Sequence, residues 1–520
     1  MLFDGAQAVR YLPGMPIRPD TTARPISGFL GIAALLLATT VFAERPADTP
    51  DVRLVAVEID VRLRPELRTL EQDVRLELEG RGAAWVDLRL HPGLVVERCD
   101  SESGTVDHRQ AGEQVRVVFD RPLDGARTIR LRITGHPRDG ADDRITPDWV
   151  GLDPDLDWYP RVGDALHTGV VRVRVDEGWT VGGPGEGRRE PDGRWVFRPG
   201  RPVRELAVVA APGMGVATGE VVKTPLRVVA PGAPDRVAEL EAVFSDPIAW
   251  FSGALAPYPF DGMTVALVPG LPERIEGSGF VAVPDVDRPR TRPDAASMLA
   301  GQWHGQWIGA DGAWIRALAA WHADAYARDR NLEPPTDIAR ARERYFRLDA
   351  ARDVALEDAT RSTSDAVVRG KGASATEMIR SSIGPRRFLR VLDGLVALAP
   401  GRVTFSDLRA LVRSESGPGG VRALEDWFGK AGVPRLRVTL RVMDAAGGGY
   451  RADVRIEQLS GDYAIPVDVV LLGPGVERRE TISIAETTTD LVYLVDFEPR
   501  RIEIDPLGRL FARPAEIVVP

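Results

Sequence analysis

The stretch from Asp294 to Tyr326 contains two histidines and an aspartate whose side chains are of types that bind metal ions: His304, His322 and Asp324. A catalytic zinc ion needs three protein ligands of this kind, an open position for water, and a nearby carboxylate that takes the proton of that water. The three residues could share one ion if two helices were rotated to bring them together. The sequence therefore leaves open a metal site at His304, His322 and Asp324.

The periodicity of this stretch predicts two consecutive helices. Apolar residues recur every fourth position, as at Trp303 and Trp307, so they share one helix face. The first helix is predicted to begin at Pro293-Asp294 and to end at the segment from Gly309 to Gly312. The second is predicted from Trp314 to Ala327. Because apolar residues at helical spacing usually face a core, the tryptophans are interpreted as core residues.

The same stretch resembles the signature of the membrane alanyl aminopeptidase (aminopeptidase N) family of gluzincin zinc metallopeptidases. The family motif HExxHQWxG matches at Gln306-Trp307 and Gly309, and Trp321 fits the WxxExxA context of the next helix. On this alignment the family's first histidine, glutamate, second histidine and third ligand fall, in that order, on Gly301, Gln302, Gly305 and Asp324.

Only one carboxylate therefore remains at the four positions that carry the family's chemistry. Glycine supplies no side-chain ligand, and the amide of Gln302 is not a base. Gly301 and Gly305 would each cost a helix about 1 kcal/mol relative to alanine, which predicts that they serve close packing. We expect no catalytic residue at these positions and no cofactor. The alternative is zinc bound by the rearranged set described above.

Two further positions follow from the resemblance. The segment from Glu273 to Val281 resembles the family's GAMENxGL pattern and places Glu276 at the glutamate that holds the free amine of a peptide. Glu276 is thus the candidate substrate-binding residue, with a solvated loop glutamate as the alternative. The segment from Arg369 to Ala373 is similar to YxKGA, so Arg369 stands where the family has its oxyanion-stabilising tyrosine. A buried Asp324 without metal needs a cation, and Arg369 is predicted to supply it.

Hydrophobic patterning divides the chain and predicts a multidomain α+β fold. Apolar residues alternate from Val52 to about Gly213, a helical period begins at Asp235, and alternation returns from Arg437. With the resemblance, this gives four predicted parts: a signal peptide (1–43), an N-terminal antiparallel β-sheet domain (44–220), a thermolysin-like α/β domain (221–435) and a C-terminal β-sandwich (436–520).

Charge and composition narrow the partners. The chain has a formal net charge of −9 and no basic run, which argues against nucleic-acid binding. The apolar run from Gly28 to Ala43 predicts a secretory signal, hence export to the periplasm or the extracellular space. The run is shorter than the ~20 residues of a membrane span, so an uncleaved anchor is the alternative and the only membrane contact foreseen.

The functional hypothesis is an exported aminopeptidase-family protein that has lost zinc binding and peptidase activity and that binds a peptide or a protein. The alternative is an active metallo-aminopeptidase that uses His304, His322 and Asp324. A purely architectural role is the third possibility. A shared fold does not restore a missing ligand, so the choice depends on the geometry of the site.

Overall fold

The computed structural model describes residues 52–140, 142–163, 165–285, 290–310, 312–360, 362–506 and 510–518 of the 520-residue chain. The predicted signal peptide lies outside the described residues. Among the helices that are described, none combines the length and the apolar character needed to cross a membrane.

The N-terminal part consists of strands, as the alternating pattern predicts. They are β1 (Val52–Arg64), β2 (Thr69–Arg89), β3 (Leu94–Ser101), β4 (Val106–Ala111), β5 (Gln114–Gly135), β6 (Arg138–Asp139), β7 (Asp142–Asp143), β8 (Val150–Leu152), β9 (Thr168–Arg174), β10 (Trp179–Gly182), β11 (Glu186–Arg189), β12 (Trp195–Arg198) and β13 (Val208–Pro212). An eight-stranded sheet has the order β11-β12-β9-β1-β2-β5-β3, with β4 paired to β5, and a three-stranded sheet has the order β10-β13-β8.

Alternation along β1 explains the core between these sheets. Successive side chains of a strand point to opposite faces, and Val57, Ile59 and Val61 are all at most 1% exposed. The two glycines of Gly80-Arg81-Gly82 also predict a turn between strands, and this prediction is wrong. Strand β2 runs through these residues, because two register shifts after Gly80 let the strand bend without ending.

The described residues of the central part form one mixed sheet and seven α-helices. Its strands are β14 (Gly215–Val221), β15 (Thr224–Ala230), β16 (Met263–Val268), β17 (Ile275–Gly277) and β18 (Phe280–Pro284), and its helices are α1 (Ala233–Ala254), α2 (Arg292–Gly301), α3 (Trp314–Asp329), α4 (Thr336–Phe346), α5 (Gly372–Ile383), α6 (Pro385–Ala397) and α7 (Phe405–Phe428). Strands β15, β16 and β18 are parallel, and β17 pairs antiparallel to β18 at one edge. This short edge strand carries Glu276.

Two π-helical segments adjoin the predicted site. Gln302–Ile308 continues α2, and Ala366–Lys371 leads into α5. Such wide turns occur often at functional sites. The first helix begins at Arg292, one to two residues earlier than predicted, because Thr291 caps it by accepting a hydrogen bond from the Asp294 amide. It ends at Gly309, as predicted, where φ is +64°.

The described residues of the C-terminal part form two sheets. Their strands are β19 (Arg435–Asp444), β20 (Tyr450–Gln458), β21 (Ile465–Gly473), β22 (Val476–Ile484), β23 (Thr488–Val495), β24 (Arg501–Ile504) and β25 (Arg513–Val518). One sheet has the order β23-β20-β19-β25 and the other β22-β21-β24. Their buried side chains join those of the helices in one continuous core. The domain boundaries given above stay predictions.

Candidate functional site

The side chain of Glu276 lies against Gly301, the position aligned with the family's first histidine. A Cβ added to Gly301 would lie 2.3 Å from Glu276 Oε2. No such contact exists at Gly305, where a Cβ would meet nothing within 4 Å. The close-packing interpretation therefore holds for Gly301, while Gly305 adjoins open space.

Gln302 occupies the position of the family's general base and connects the helix to the sheet. Its side chain is completely buried. Its Oε1 accepts a hydrogen bond from the Gly279 amide at 2.8 Å, and its Nε2 donates to the carbonyls of Gly277 and Phe280 at 3.2 and 3.4 Å. A buried amide whose donors and acceptor are all used is a structural element.

Gln306 makes a second connection, which reaches the N-terminal part of the chain. Its Oε1 accepts from the Ser278 hydroxyl at 2.9 Å, and its Nε2 donates to Glu205 Oε2 at 2.6 Å. Ser278 in turn accepts from the amide of Arg204 at 3.1 Å. The π-helical segment is therefore fixed both to the edge strand β17 and its turn and to the loop between β12 and β13.

His304 and His322 come together as a buried pair. His304 Nε2 lies 2.7 Å from His322 Nδ1, and the two rings are stacked with centroids 4.8 Å apart. Burial lowers the pKa of His304 to about 3, and burial together with the neighbouring ring holds the pKa of His322 below its ordinary value. Both imidazoles are therefore neutral at pH 7, and one ring donates to the other.

The two histidines are arranged for a hydrogen bond with each other. Two nitrogens that shared a tetrahedral zinc at ~2.0 Å would lie roughly 3.3 Å apart, which is farther than their 2.7 Å separation. His322 packs against Trp250, Phe251 and Trp321. His304 Nδ1 has no hydrogen-bond partner among the described residues.

Asp324, the third member of the alternative metal set, is held by two arginines. Arg342 Nη2 donates to its Oδ2 at 2.8 Å and Arg342 Nη1 to its Oδ1 at 3.4 Å, and Arg328 also pairs with it. The Asp324 side chain is 4% exposed. Guanidinium groups supply the positive charge that a buried carboxylate needs, as predicted. The prediction that Arg369 supplies it is wrong, because the described pairs of Asp324 are with Arg342 and Arg328.

Arg369 belongs to a different cluster of charges, around Glu276. It donates to Asp337 Oδ2 at 2.8 Å and lies 3.7 Å from Glu276 Oε1. Arg274 Nε lies 2.7 Å from Glu276 Oε1, and Arg274 Nη1 lies 3.3 Å from Asp337. Two guanidinium groups therefore flank the carboxylate at the predicted amine-binding position.

Glu276 is part of a strand and is only partly exposed, unlike a solvated loop residue. It lies on strand β17, and its side chain is 21% exposed. Burial raises its pKa, and the charge of Arg274 opposes that rise. The solvated-loop alternative for Glu276 is therefore wrong.

The residues present do not fit a zinc ion in the arrangement described. Within the ranges that the structure covers, no three His, Cys, Asp or Glu side chains are grouped so that they could hold a metal. Gly301 and Gly305 supply no ligand, the histidines bond to each other, and Asp324 is neutralised by arginines.

Comparisons with solved structures identify the fold. An M1 zinc metallopeptidase from Deinococcus radiodurans matches with a TM-score of 0.59 and 22% identity over 73% of this chain and 94% of that chain. A mutant of that enzyme bound to a Tyr-Ser-Ala substrate matches with a TM-score of 0.59 and 22% identity over 72% and 94%. A two-domain M1 mutant bound to L-tryptophan gives the same TM-score, identity and coverage.

The chain therefore has the multidomain mixed α/β fold of the M1 zinc metallopeptidases, a gluzincin aminopeptidase family. No protein-family model and no curated protein matches the sequence. At this identity the likeness establishes the fold alone.

The comparison corrects the expectation that no cofactor is involved. The solved structures that share the fold are zinc metallopeptidases, so zinc is the cofactor that they suggest. Zinc must accordingly be present in any test of activity. The positions that align with the family's zinc ligands are nevertheless Gly301, Gly305 and Asp324, and Asp324 is paired with arginines.

Sequence reasoning missed the residues that hold the site together. Arg342 and Glu205 lie outside every motif used for the alignment, and no local pattern marks their partners. Arg274 lies within the GAMENxGL-like segment but matches no residue of that pattern. The signal that could have found them is the density of charged residues in the segment that begins at Asp337. This segment supplies both Asp337 and Arg342 to the network.

Proposed function

We propose that the chain is an aminopeptidase-family protein that binds a peptide or a protein segment beside Glu276 and does not hydrolyse peptide bonds there. The observation that carries the proposal is the state of Gln302. It stands at the general-base position, and its amide is completely engaged with the backbone of Gly277, Gly279 and Phe280. No described carboxylate replaces it on that helix.

The charges around Glu276 support binding of a peptide. The carboxylate of Glu276 can accept a hydrogen bond from the amino-terminal ammonium of a short peptide. The two guanidinium groups can pair with the carboxylate at the other end of that peptide. Arg274 lies 2.7 Å and Arg369 3.7 Å from Glu276. A protein of the same fold has been solved with Tyr-Ser-Ala bound.

Calorimetric titration with Tyr-Ser-Ala tests the binding half of this proposal. The expected result is saturable binding that weakens about tenfold or more in Glu276→Gln, since a hydrogen bond to a charged group contributes about 1.5–3 kcal/mol. The matched control is Glu177→Gln, which changes an exposed glutamate of the N-terminal part. Absence of binding by the unmodified protein would leave only the architectural role.

The second part of the proposal is that the chain does not hydrolyse peptide bonds at this site. It is tested with a panel of aminoacyl-anilides, assayed with added zinc and with chelator. Metal content of the purified protein is measured in parallel. No turnover above the blank is expected with zinc present. Stoichiometric zinc together with chelator-sensitive cleavage would establish instead the active metallopeptidase with rearranged ligands.

Export is the remaining part of the proposal. It rests on the apolar run from Gly28 to Ala43, which precedes the described residues. Amino-terminal sequencing of protein from the periplasmic or extracellular fraction should give a chain that begins at Glu44. A full-length chain in the membrane fraction would indicate the uncleaved anchor.

A further inference from the structure

A cavity of about 530 Å³ lies between the N-terminal strands and the five-stranded sheet. Strand β11 and the end of β12 form one wall, and β14 and β15 form the opposite wall. The turn Ser278-Gly279 also lines it, and this is the turn that Gln302 holds from the helix side. The size is within the range of small-molecule sites, roughly 300–1,000 Å³.

The lining of the cavity is largely apolar, and its charged residues are two carboxylates, Glu186 and Asp261, and three arginines. The apolar contributions come from β14 and β15, from the loop after β12, and from the start of β16 with the loop before it: Val203, Val216, Pro225, Leu226, Phe260 and Met263. Of the three arginines in the lining, Arg201 is paired with Asp261 at 2.8 Å. Arg198 is exposed to solvent. The third, Arg227, is neither paired with a described carboxylate in this way nor exposed like Arg198, and it contacts two aromatic rings.

Arg227 extends from β15 across the gap to the aromatic face of β12. Its guanidinium carbon lies 5.6 Å from the ring centroid of Phe197 and 5.9 Å from that of Trp195. These two residues are two apart on the strand and therefore share a face. Cation–π contacts of this kind stabilise the position of a guanidinium while leaving its N–H groups free to donate.

The N–H groups of Arg227 lack acceptors in the part of the chain that the structure describes. Its Nε is buried without a hydrogen-bond partner. Desolvation lowers the pKa of Arg227, and the only opposing influence is the charge of Glu186. A desolvated cation that makes no ion pair costs free energy, so such a group calls for an anion.

Gly187 on β11 allows the guanidinium to reach this place. A Cβ at position 187 would lie 1.8 Å from Arg227 Nη1. The backbone of β11 therefore approaches the guanidinium more closely than any side chain would permit. Both residues line the cavity.

We propose that this cavity binds a small molecule with an apolar body and one oxyanion group, and that Arg227 holds its carboxylate or phosphate. The planar fork of a guanidinium suits both groups, because each offers two oxygens in the matching geometry. This binding site is separate from the peptide site beside Glu276 and does not depend on it.

Fluorine NMR titration of the full chain with three probes tests the proposal: para-fluorobenzoate, para-fluorophenyl phosphate and the neutral para-fluorobenzyl alcohol. The variants are Arg227→Met, which keeps an apolar side chain against the aromatic rings, and Arg227→Lys, which keeps the charge without the fork. Arg441→Met removes an exposed arginine of the C-terminal part and is the matched control.

At least one of the two anions should bind the wild type and Arg441→Met more tightly than the alcohol. Its affinity should fall about tenfold or more in Arg227→Met and several-fold in Arg227→Lys. Which anion binds distinguishes a carboxylate ligand from a phosphate ligand. The proposal is overturned if neither anion binds, if the alcohol binds equally well, or if Arg227→Met retains full affinity. If Arg227→Met does not fold, wild-type affinity in Arg227→Lys overturns it.

Discussion

The carboxylate of Glu276 occupies the space into which a side chain at position 301 would project. The distance from a Cβ at Gly301 to Glu276 Oε2 would be 2.3 Å, although the carboxylate is held 2.7 Å from Arg274. A side chain at position 301, where the resemblance places a zinc ligand, would therefore require the Glu276 carboxylate to move from its present place.

Alanine at Gly301 should destabilise the protein, whereas alanine at Gly305 should not. Gly301→Ala displaces Glu276 from Arg274 and should cost about 1–3 kcal/mol, as overpacking usually does. Gly305→Ala meets open space and should gain up to about 1 kcal/mol through helix propensity. Urea unfolding of both variants gives the comparison, and equal changes at the two glycines would contradict the contact.

The partner of Asp324 can be determined by a double-mutant cycle. Combining Asp324→Asn with Arg342→Met should show a coupling energy of about 1–3 kcal/mol, because the carboxylate is buried and bonded by both Nη atoms. The same cycle with Arg369→Met should give less than about 0.5 kcal/mol, since Arg369 pairs with Asp337 and Glu276. A larger coupling to Arg369 would reinstate the pairing expected from the sequence.

Stability should fall below pH 6.5 because of the buried histidine pair. Burial lowers the pKa of His304 to about 3 and also lowers that of His322. Histidines of the unfolded chain titrate near pH 6.5, so the unfolded state binds more protons below that value. The contribution is therefore complete above pH 6.5 and is lost as the pH falls towards 3.

Urea unfolding from pH 7.5 to 5 measures this effect. His322→Gln should reduce the slope by about 1.4 kcal/mol per pH unit, which corresponds to one proton. Phe251→Leu changes packing against His322 without removing a titrating group, so it should lower stability equally at each pH. An unchanged slope in His322→Gln would show that the ring is protonated in the folded state.

Lys371, the lysine of the YxKGA-like segment, is expected to be structural. It is completely buried and donates to Asp353 Oδ1 and to the carbonyls of Val354 and Lys430 at 2.9–3.1 Å. Lys371→Met should cost about 3–5 kcal/mol, because Asp353 loses its cation inside the protein. Lys223→Met, at an exposed turn, is the matched control and should cost less than about 0.5 kcal/mol. A small loss in Lys371→Met would show that Lys371 is dispensable.

The order of partial motifs predicted the class of fold and some local features. The end of the helix at Gly309 and the burial of Trp303 follow from backbone freedom and from apolar periodicity, both of which are local properties. The π-helical turn from Gln302 to Ile308 had no such local signal, because the contacts that fix it come from Ser278, Gly279 and Glu205.

The sequence predicted the type of charge pair in the site but not the residue that forms it. The sequence indicated that a buried Asp324 needs a guanidinium, but the alignment offered candidates only at motif positions. Arg342 lies on α4 and Asp324 on α3, so their pairing depends on how the fold places these two helices relative to each other. Pairing across separate helices is set by tertiary geometry, which spacing within one segment does not encode.

The most direct measurement is the fate of Tyr-Ser-Ala incubated with the zinc-supplemented protein, followed by mass spectrometry of the solution. The account predicts that the tripeptide binds and is recovered intact, with no free tyrosine above the protein-free control. Release of tyrosine that depends on zinc and stops on chelation would contradict it.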